Sequence, residues 1–281
     1  MSDSPELSDA DFERLREFFY RRTGIQFSSS KRYFVDKRVA ACIEESGSDG
    51  FATWFARIRL GGEEHLVRRL ISRMTVNETY FLRESYQLDC LVGSVLPRVL
   101  ADGGGDGTVR ILSIPCSTGD EPYSIAITLL ERWPAIDDVD VQITGVDIDA
   151  DVVAVARAGV FGARALQHLS DGLRARYFER TGEGHRIRAD LRQVIGFDVG
   201  NITDAHDMRR FRGYDVIFCR NLLIYFDELS SRRAAENLYA ALRPGGYLFL
   251  GHSESMSRIS PIFTPVRMRE ALVYRRPETE E

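Results

Sequence analysis

From Val109 onward the sequence alternates short apolar runs rich in β-branched and aromatic residues with helical patterns, and this alternation does most to restrict the fold. The runs are VRILSIP (109–115), VQITGVDI (141–148), VIGFDVGN (194–201), YDVIFCRN (214–221) and GGYLFLGHS (245–253). Strand–helix–strand alternation predicts an α/β fold with a parallel, doubly wound sheet. Two shorter runs, 263–268 and 271–275, have only Arg269 and Glu270 between them, which predicts a closing antiparallel hairpin. One interval departs from the alternation. The stretch RYFERTGEGHRIRADLR (176–192) alternates about a glycine-rich centre and predicts a small antiparallel excursion, an inserted β-subdomain at about 177–198.

The first 84 residues read differently. Ser8 precedes a helical pattern with apolar Phe12, Leu15, Phe18 and Phe19. Ser30 opens a second with Val35, Val39, Cys42 and Ile43, and a third covers 51–60. A fourth starts near Glu63, after the Gly61-Gly62 break. This predicts a separate helical N-terminal domain over 1–84. A linker helix and the glycine-rich loop DGGGDGT follow over 85–108, and the α/β domain occupies 109–281. The loop has no following lysine and leads into a strand, so it is not read as a phosphate loop.

Composition narrows the function classes. With 44% hydrophobic and 28% charged residues the chain reads as globular, and its net charge of −5 gives no bulk attraction to nucleic acid. No apolar run approaches the ~20 residues of a membrane span. The acidic, polar start MSDSPELSDADF does not resemble a signal peptide. Cys42, Cys90, Cys116 and Cys219 have no metal-ligand spacing, and neither do His65, His168, His185, His206 and His252. Reduced cysteines, a cytoplasmic location and no bound metal are therefore expected. Charge is uneven locally: residues 21–42 hold Arg21, Arg22, Lys31, Arg32, Lys37 and Arg38 against the single acid Asp36. This basic helix is either a solvated face, with Arg32 and Asp36 paired at i,i+4, or a docking surface for an acidic partner.

Open α/β sheets bind ligands at the carboxyl ends of their strands. The first such end carries CSTGDEPYSIA (116–126), with one glycine followed at once by Asp120 and Glu121. A phosphate-binding turn is richer in glycine, and two carboxylates would repel a pyrophosphate. They would suit a nucleoside bearing a cationic group, such as S-adenosylmethionine, favouring a methyltransferase over a dehydrogenase or kinase. The alternative is that both acids serve the first turn of a helix containing Pro122. Asp147, at the second strand's end in GVDID, is placed to accept hydrogen bonds from ribose hydroxyls, whereas Asp149 reads as a helix cap. Asn201 ends the third strand and is a candidate for the adenine edge. Arg220, Asn221 and Tyr225 follow the fourth, and Asn77, Thr79 and Arg83 lie in TVNETYFLRE at the domain junction. GHSES (251–255) lacks the last glycine of a hydrolase nucleophile elbow.

TVNETYFLRE, CSTGDEPYSIA, GVDID, FDVGNITD, IFCRNLLIYF, LRPGGYLFLGHSES and EALVYRR, in this order, resemble the chemotaxis receptor methyltransferase (CheR) family over nearly the whole chain. Asp120 stands where many members have a second glutamate. The resemblance implies a helical N-terminal domain, an S-adenosylmethionine-binding α/β domain and an inserted β-subdomain. It implies methyl transfer to glutamate side chains on the cytoplasmic signalling helices of chemoreceptors. It also implies that Asn77, Thr79, Arg83, Glu121, Asp147, Ile148, Asn201, Ile202, Arg220 and Asn221 line the cofactor site. Arg83 and Tyr225 would lie nearest the transfer, and Lys31, Arg32, Lys37 and Arg38 would dock the receptor. A glutamate nucleophile is already ionised at neutral pH, with a reference pKa of about 4.3, so no general base is required. In some members the inserted subdomain grips a peptide tether at the receptor's C-terminus, using a loop longer than ERTGEGH (179–185). A monomer that does not require the C-terminal pentapeptide is expected here. Other expectations remain open: a same-fold methyltransferase with another acceptor, or a non-catalytic S-adenosylmethionine-binding adaptor.

Overall fold

In the computed structural model, which describes residues 7–102 and 107–278, seven strands form one sheet. In chain order the strands of the molecule are β1 (Thr108–Ser113), β2 (Asp140–Asp147), β3 (Val160–Phe161), β4 (Phe178–Thr181), β5 (Gly184–Ile187), β6 (Ile195–Val199), β7 (Tyr214–Cys219), β8 (Leu242–Leu250), β9 (Thr264–Arg267) and β10 (Leu272–Arg275). The main sheet has the order β6-β2-β1-β7-β8-β10-β9. Pairing is parallel from β6 to β8, and β10 is antiparallel to both β8 and β9. The chain winds from β1 outward to β6, then returns to β7 beside β1. The strand order therefore reverses between β1 and β7, the switch point at which doubly wound sheets open a crevice.

The central strands are buried along most of their carboxyl-terminal halves. All six residues of β7 are buried, and Phe218 of β7 stacks on Phe249 of β8 with ring centroids 4.4 Å apart. The helix Asp120–Arg132 buries Ile125, Ile127 and Leu129 in the same core. The expected helix at 85–101 is continuous in path but changes pitch, with a π-helical segment at Leu91–Val95 between two α-helical stretches.

The inserted sheet differs from the expectation at 177–198. It is three-stranded, in the order β3-β5-β4, so it begins at Val160, and β6 belongs to the main sheet through its pairing with β2. The β4–β5 turn is tight: Thr181 pairs with Gly184, leaving only Gly182 and Glu183 between the strands. At Gly184, with φ of +141°, a Cβ would lie 2.6 Å from the Phe161 carbonyl oxygen, so glycine is what lets β3 and β5 approach.

The chain divides into two units, Met1–Val76 with Tyr225–Ser230, and Asn77–Ile224 with Ser231–Glu281. The division falls at residue 76 rather than 84, and the short return segment 225–230 is counted with the helical unit. In that unit the helix Asp9–Thr23 is capped by Ser8, whose hydroxyl accepts the Asp11 amide at 3.1 Å. Phe12, Leu15, Phe19, Val35, Val39, Trp54, Ile58 and Leu70 form its core, supplied by the helices Asp9–Thr23, Arg32–Glu45, Phe51–Arg59 and Glu64–Met74. Phe226 packs on this core, and Tyr20 donates its hydroxyl to Asp227 at 2.9 Å. Among the described residues no helix is long and apolar enough to cross a membrane. The triple glycine of the 102–108 loop lies outside the described residues.

Candidate functional site

The carboxyl ends of β1, β2 and β7 gather the polar residues expected there. After β1, Ser117 takes a left-handed conformation (φ +47°) and aims its amide at Asp147, which accepts it at 2.8 Å. Asp147, 3% exposed, also accepts the Asp149 amide at 2.9 Å. Burial raises its carboxyl to about 6 against the opposing pull of these amides. Asp149 caps the helix Ala150–Ala158, as expected, and its other oxygen accepts the Asn77 side-chain amide at 2.8 Å. Ser117 donates its hydroxyl to the Asn77 carbonyl at 3.1 Å. The segment around Asn77 is thereby tied to both strand ends.

A second cluster spans the switch point. Arg220, at the end of β7, donates to Glu121 at 2.8 Å and to the Arg83 carbonyl at 2.8 Å, and lies 3.5 Å from Glu84. The Ser113 hydroxyl completes the Glu121 contacts at 2.7 Å. Glu84 also meets His252 Nδ1 at 3.0 Å and accepts the Tyr86 hydroxyl at 3.0 Å. Burial alone would raise the Glu84 carboxyl, but His252, Arg220 and Tyr86 outweigh it and hold the group below its ordinary value.

This pairing changes the charge argument drawn from the acidic turn. Glu121 is balanced by Arg220. Asp120 is fully buried, accepts the Thr118 hydroxyl at 2.6 Å and is pushed up to about 6 by desolvation. The turn is therefore not a bare pair of carboxylates facing a ligand.

Four non-glycine residues among those described have clearly positive φ: Leu82, Glu84, Ser117 and Asn221. All four lie in the segments that form these clusters. Left-handed backbone at non-glycine residues costs free energy and persists where the surroundings over-determine it, commonly at ligand sites.

The other expected residues are placed as follows. Arg83 donates to the Glu78 carbonyl at 2.9 Å, with its guanidinium 5.7 Å from the centre of the Tyr80 ring. Thr79 and Ile148 are half-buried. Asn201 follows β6, and its side-chain oxygen accepts the Thr203 amide at 3.0 Å and hydroxyl at 2.8 Å; the neighbouring Gly200 amide donates to the Asp147 carbonyl at 2.9 Å. Ile202 is buried, with its carbonyl bonded to Asn237 at 2.7 Å. Tyr225, 37% exposed, is counted with the helical unit, and its carbonyl accepts the Gln26 amide at 3.4 Å.

The basic residues of the helical unit are unequal. Lys31 and Lys37 are exposed. Arg32 is engaged within the fold, donating to Asp9 at 2.8 Å, to Asp36 at 3.0 Å and to the Leu7 carbonyl, with its guanidinium 4.7 Å from the Phe12 ring centre. Arg38 lies 3.6 Å from the Phe34 ring centre.

Sequence reasoning did not single out Glu84 or Glu254. Glu254 lies in GHSES, a segment that drew notice as a nucleophile elbow and as part of LRPGGYLFLGHSES; the usable signal was a carboxylate just past an apolar strand that ends in glycine.

The site's chemistry suits S-adenosylmethionine. The Asp147 carboxylate has about four lone-pair directions, so beyond the Ser117 and Asp149 amides it keeps acceptor capacity for a ribose diol. Arg220 Nε is buried without a partner. Among the described residues no group of acidic, histidine and cysteine side chains is arranged to hold a metal ion.

Comparison with known proteins identifies the family. Residues 77–272 match the family model described as the CheR methyltransferase S-adenosylmethionine-binding domain, and residues 10–76 match the CheR methyltransferase all-alpha domain. The chain is 44% identical over 272 residues to chemotaxis protein methyltransferase 2 of Vibrio cholerae, covering 96% of this chain and 94% of that one. It is 32% identical over 282 residues to chemotaxis protein methyltransferase 1 of Pseudomonas aeruginosa, covering 95% and 98%. Against that organism's chemotaxis protein methyltransferase 2 it is 36% identical over 261 residues, covering 91% and 90%. The chain belongs to the CheR methyltransferase family and is an S-adenosylmethionine-dependent methyltransferase.

Proposed function

We propose that the protein transfers a methyl group to glutamate side-chain carboxylates on the cytoplasmic signalling helices of chemoreceptors, giving glutamyl methyl esters. The observation that carries the reading is the pair of polar clusters at the strand ends beside the β1/β7 reversal, in a chain of this family. S-adenosylmethionine, when bound, supplies the sulfonium-bound methyl group. Asp147 is assigned the ribose hydroxyls, and Asn201 with Ile202 the adenine side. Arg220 and Glu121 form a fixed ion pair beside the amino-acid end, with Asn77, Thr79, Ile148 and Asn221 around it. The acceptor is an ionised carboxylate, so the protein's task is to strip its water and hold it in line rather than to remove a proton. Arg83 and Tyr225 are assigned that holding role, through charge-assisted hydrogen bonds. Mixing the protein with methyl-labelled S-adenosylmethionine and a cognate receptor tests the reading; label should enter the receptor.

Recognition is assigned to the helical unit, with Lys31 and Lys37 offering charge to acidic receptor helices. Arg38 is assigned a lesser share, and Arg32 is already occupied. The two-residue Gly182-Glu183 turn supports a receptor interaction that does not require a C-terminal pentapeptide, because it leaves no extended loop there.

A further inference from the structure

The carboxylate of Glu254 accepts three backbone amides from two different loops. Oε2 takes Asn221 N–H at 2.8 Å and Gly251 N–H at 2.8 Å, and Oε1 takes Leu223 N–H at 2.7 Å. Asn221 and Leu223 lie just beyond β7, and Gly251 just beyond β8. These strands are parallel neighbours, with Cys219 paired to Leu250 at their carboxyl ends. One side chain therefore ties together the two strand ends next to the reversal of strand order.

Two further observations show that the local fold is arranged around this carboxylate. Asn221, held by it, is one of the four non-glycine residues in left-handed conformation, with φ of +59°. At Gly251 a Cβ would lie 2.8 Å from Glu254 Oε2, 2.9 Å from Asn221 Nδ2 and 3.0 Å from the Asn221 amide nitrogen. Real Cβ atoms do not approach that closely, so glycine is what admits both the carboxylate and the Asn221 backbone. Serving three amides uses both carboxylate oxygens, and a glutamine keeps only one acceptor oxygen.

We infer that Glu254 is a positioning residue for methyl transfer: its carboxylate clamps the 221–223 loop and so fixes Arg220 and Asn221 at the cofactor site. The inference rests on the cofactor reading above. It does not make Glu254 touch the cofactor; the residue acts through the backbone of Asn221 and Leu223.

Glu254→Gln, Glu254→Ala and Gly251→Ala test it, the last displacing the carboxylate without removing it. Two readouts are used on the full chain: amide hydrogen exchange at Asn221 and Leu223 without ligand, and calorimetric titration with S-adenosylhomocysteine. All three variants should exchange these two amides faster while the rest of the α/β unit keeps its protection. Cofactor-product affinity should fall about tenfold or more for Glu254→Ala, the scale of losing hydrogen bonds to a charged group. Glu254→Gln should recover part of that loss. Folded variants with wild-type affinity would overturn the positioning role while leaving the cofactor reading intact. Wild-type protein that binds no S-adenosylhomocysteine would overturn the cofactor reading and this inference with it.

Discussion

Ser117 donates its backbone amide to the Asp147 carboxylate at 2.8 Å, joining the turn after β1 to the end of β2. The bond fixes the acceptor assigned to the ribose and stabilises a left-handed serine at the same time. Asp147→Ala should weaken S-adenosylhomocysteine binding by about 1–3 kcal/mol, the range for hydrogen bonds to a charged group. It should also lower thermal stability, because the Ser117 and Asp149 amides lose their acceptor. Calorimetry on the folded variant checks the first effect; unchanged affinity would remove Asp147 from the cofactor site.

Burial raises Asp147 and Asp120 to about 6, and the two consequences have opposite signs. A carboxyl whose folded pKa lies above its unfolded value favours folding most at low pH, and that contribution is lost as pH rises from about 4 to about 6. Binding of ribose hydroxyls instead favours the ionised carboxylate, so S-adenosylhomocysteine affinity should rise about tenfold between pH 5 and pH 7. Asp120→Asn should keep this rise, because Asp120 is turned toward Thr118. A flat wild-type profile over that range would contradict the Asp147 assignment.

Where the strand ends and their polar residues lie was largely legible in the sequence, and the exceptions share a cause. The strand ends carrying Asp147, Asn201 and Arg220 followed from apolar runs broken by polar residues, and Asp149 read correctly as a cap. What could not be read is pairing through space. Glu121 and Arg220 are 99 residues apart, so the acidic turn looked unbalanced when it is half neutralised. Glu254 reaches amides 31 and 33 residues away, and its position just past a strand end does not by itself name those partners. β3 has two residues, too few to show a period, so the inserted sheet was expected to start later than it does.

Tyr225→Phe should reduce turnover and leave S-adenosylhomocysteine affinity nearly unchanged, because it removes only a donor assigned to the acceptor carboxylate. Arg83→Ala should reduce turnover as well. Single-turnover methylation at saturating cofactor separates chemistry from binding. Full turnover in Tyr225→Phe would take that hydroxyl out of the mechanism.

Charge reversal at the exposed pair, Lys31→Glu with Lys37→Glu, should slow receptor methylation without changing cofactor affinity. The defect should shrink as salt rises, since the Debye length is about 8 Å at physiological ionic strength. Arg32→Ala should instead lower the melting temperature, because Asp9, Asp36 and the Leu7 carbonyl lose their common partner. A double reversal that methylates receptor at the normal low-salt rate would show that Lys31 and Lys37 form only a solvated face. Titration with receptor C-terminal pentapeptides should show no micromolar binding.

Gly119 has φ of +91°, and a Cβ there would lie 2.9 Å from Ala156 Cβ and 3.2 Å from the Tyr123 ring. Gly119→Ala should destabilise the fold by about 1–3 kcal/mol through backbone strain and overpacking. Denaturant unfolding followed by tryptophan fluorescence measures this, and a loss under 0.5 kcal/mol, the ordinary range for a surface change, would contradict it.

The most direct measurement of the central claim is the chemical form of the methyl group after transfer. Receptor incubated with the protein and methyl-labelled S-adenosylmethionine should take up label and release it as volatile methanol in mild base, as a glutamyl methyl ester does. Label that is stable to base, or protein that binds S-adenosylhomocysteine while leaving the receptor unlabelled, would contradict glutamate methylation by this enzyme.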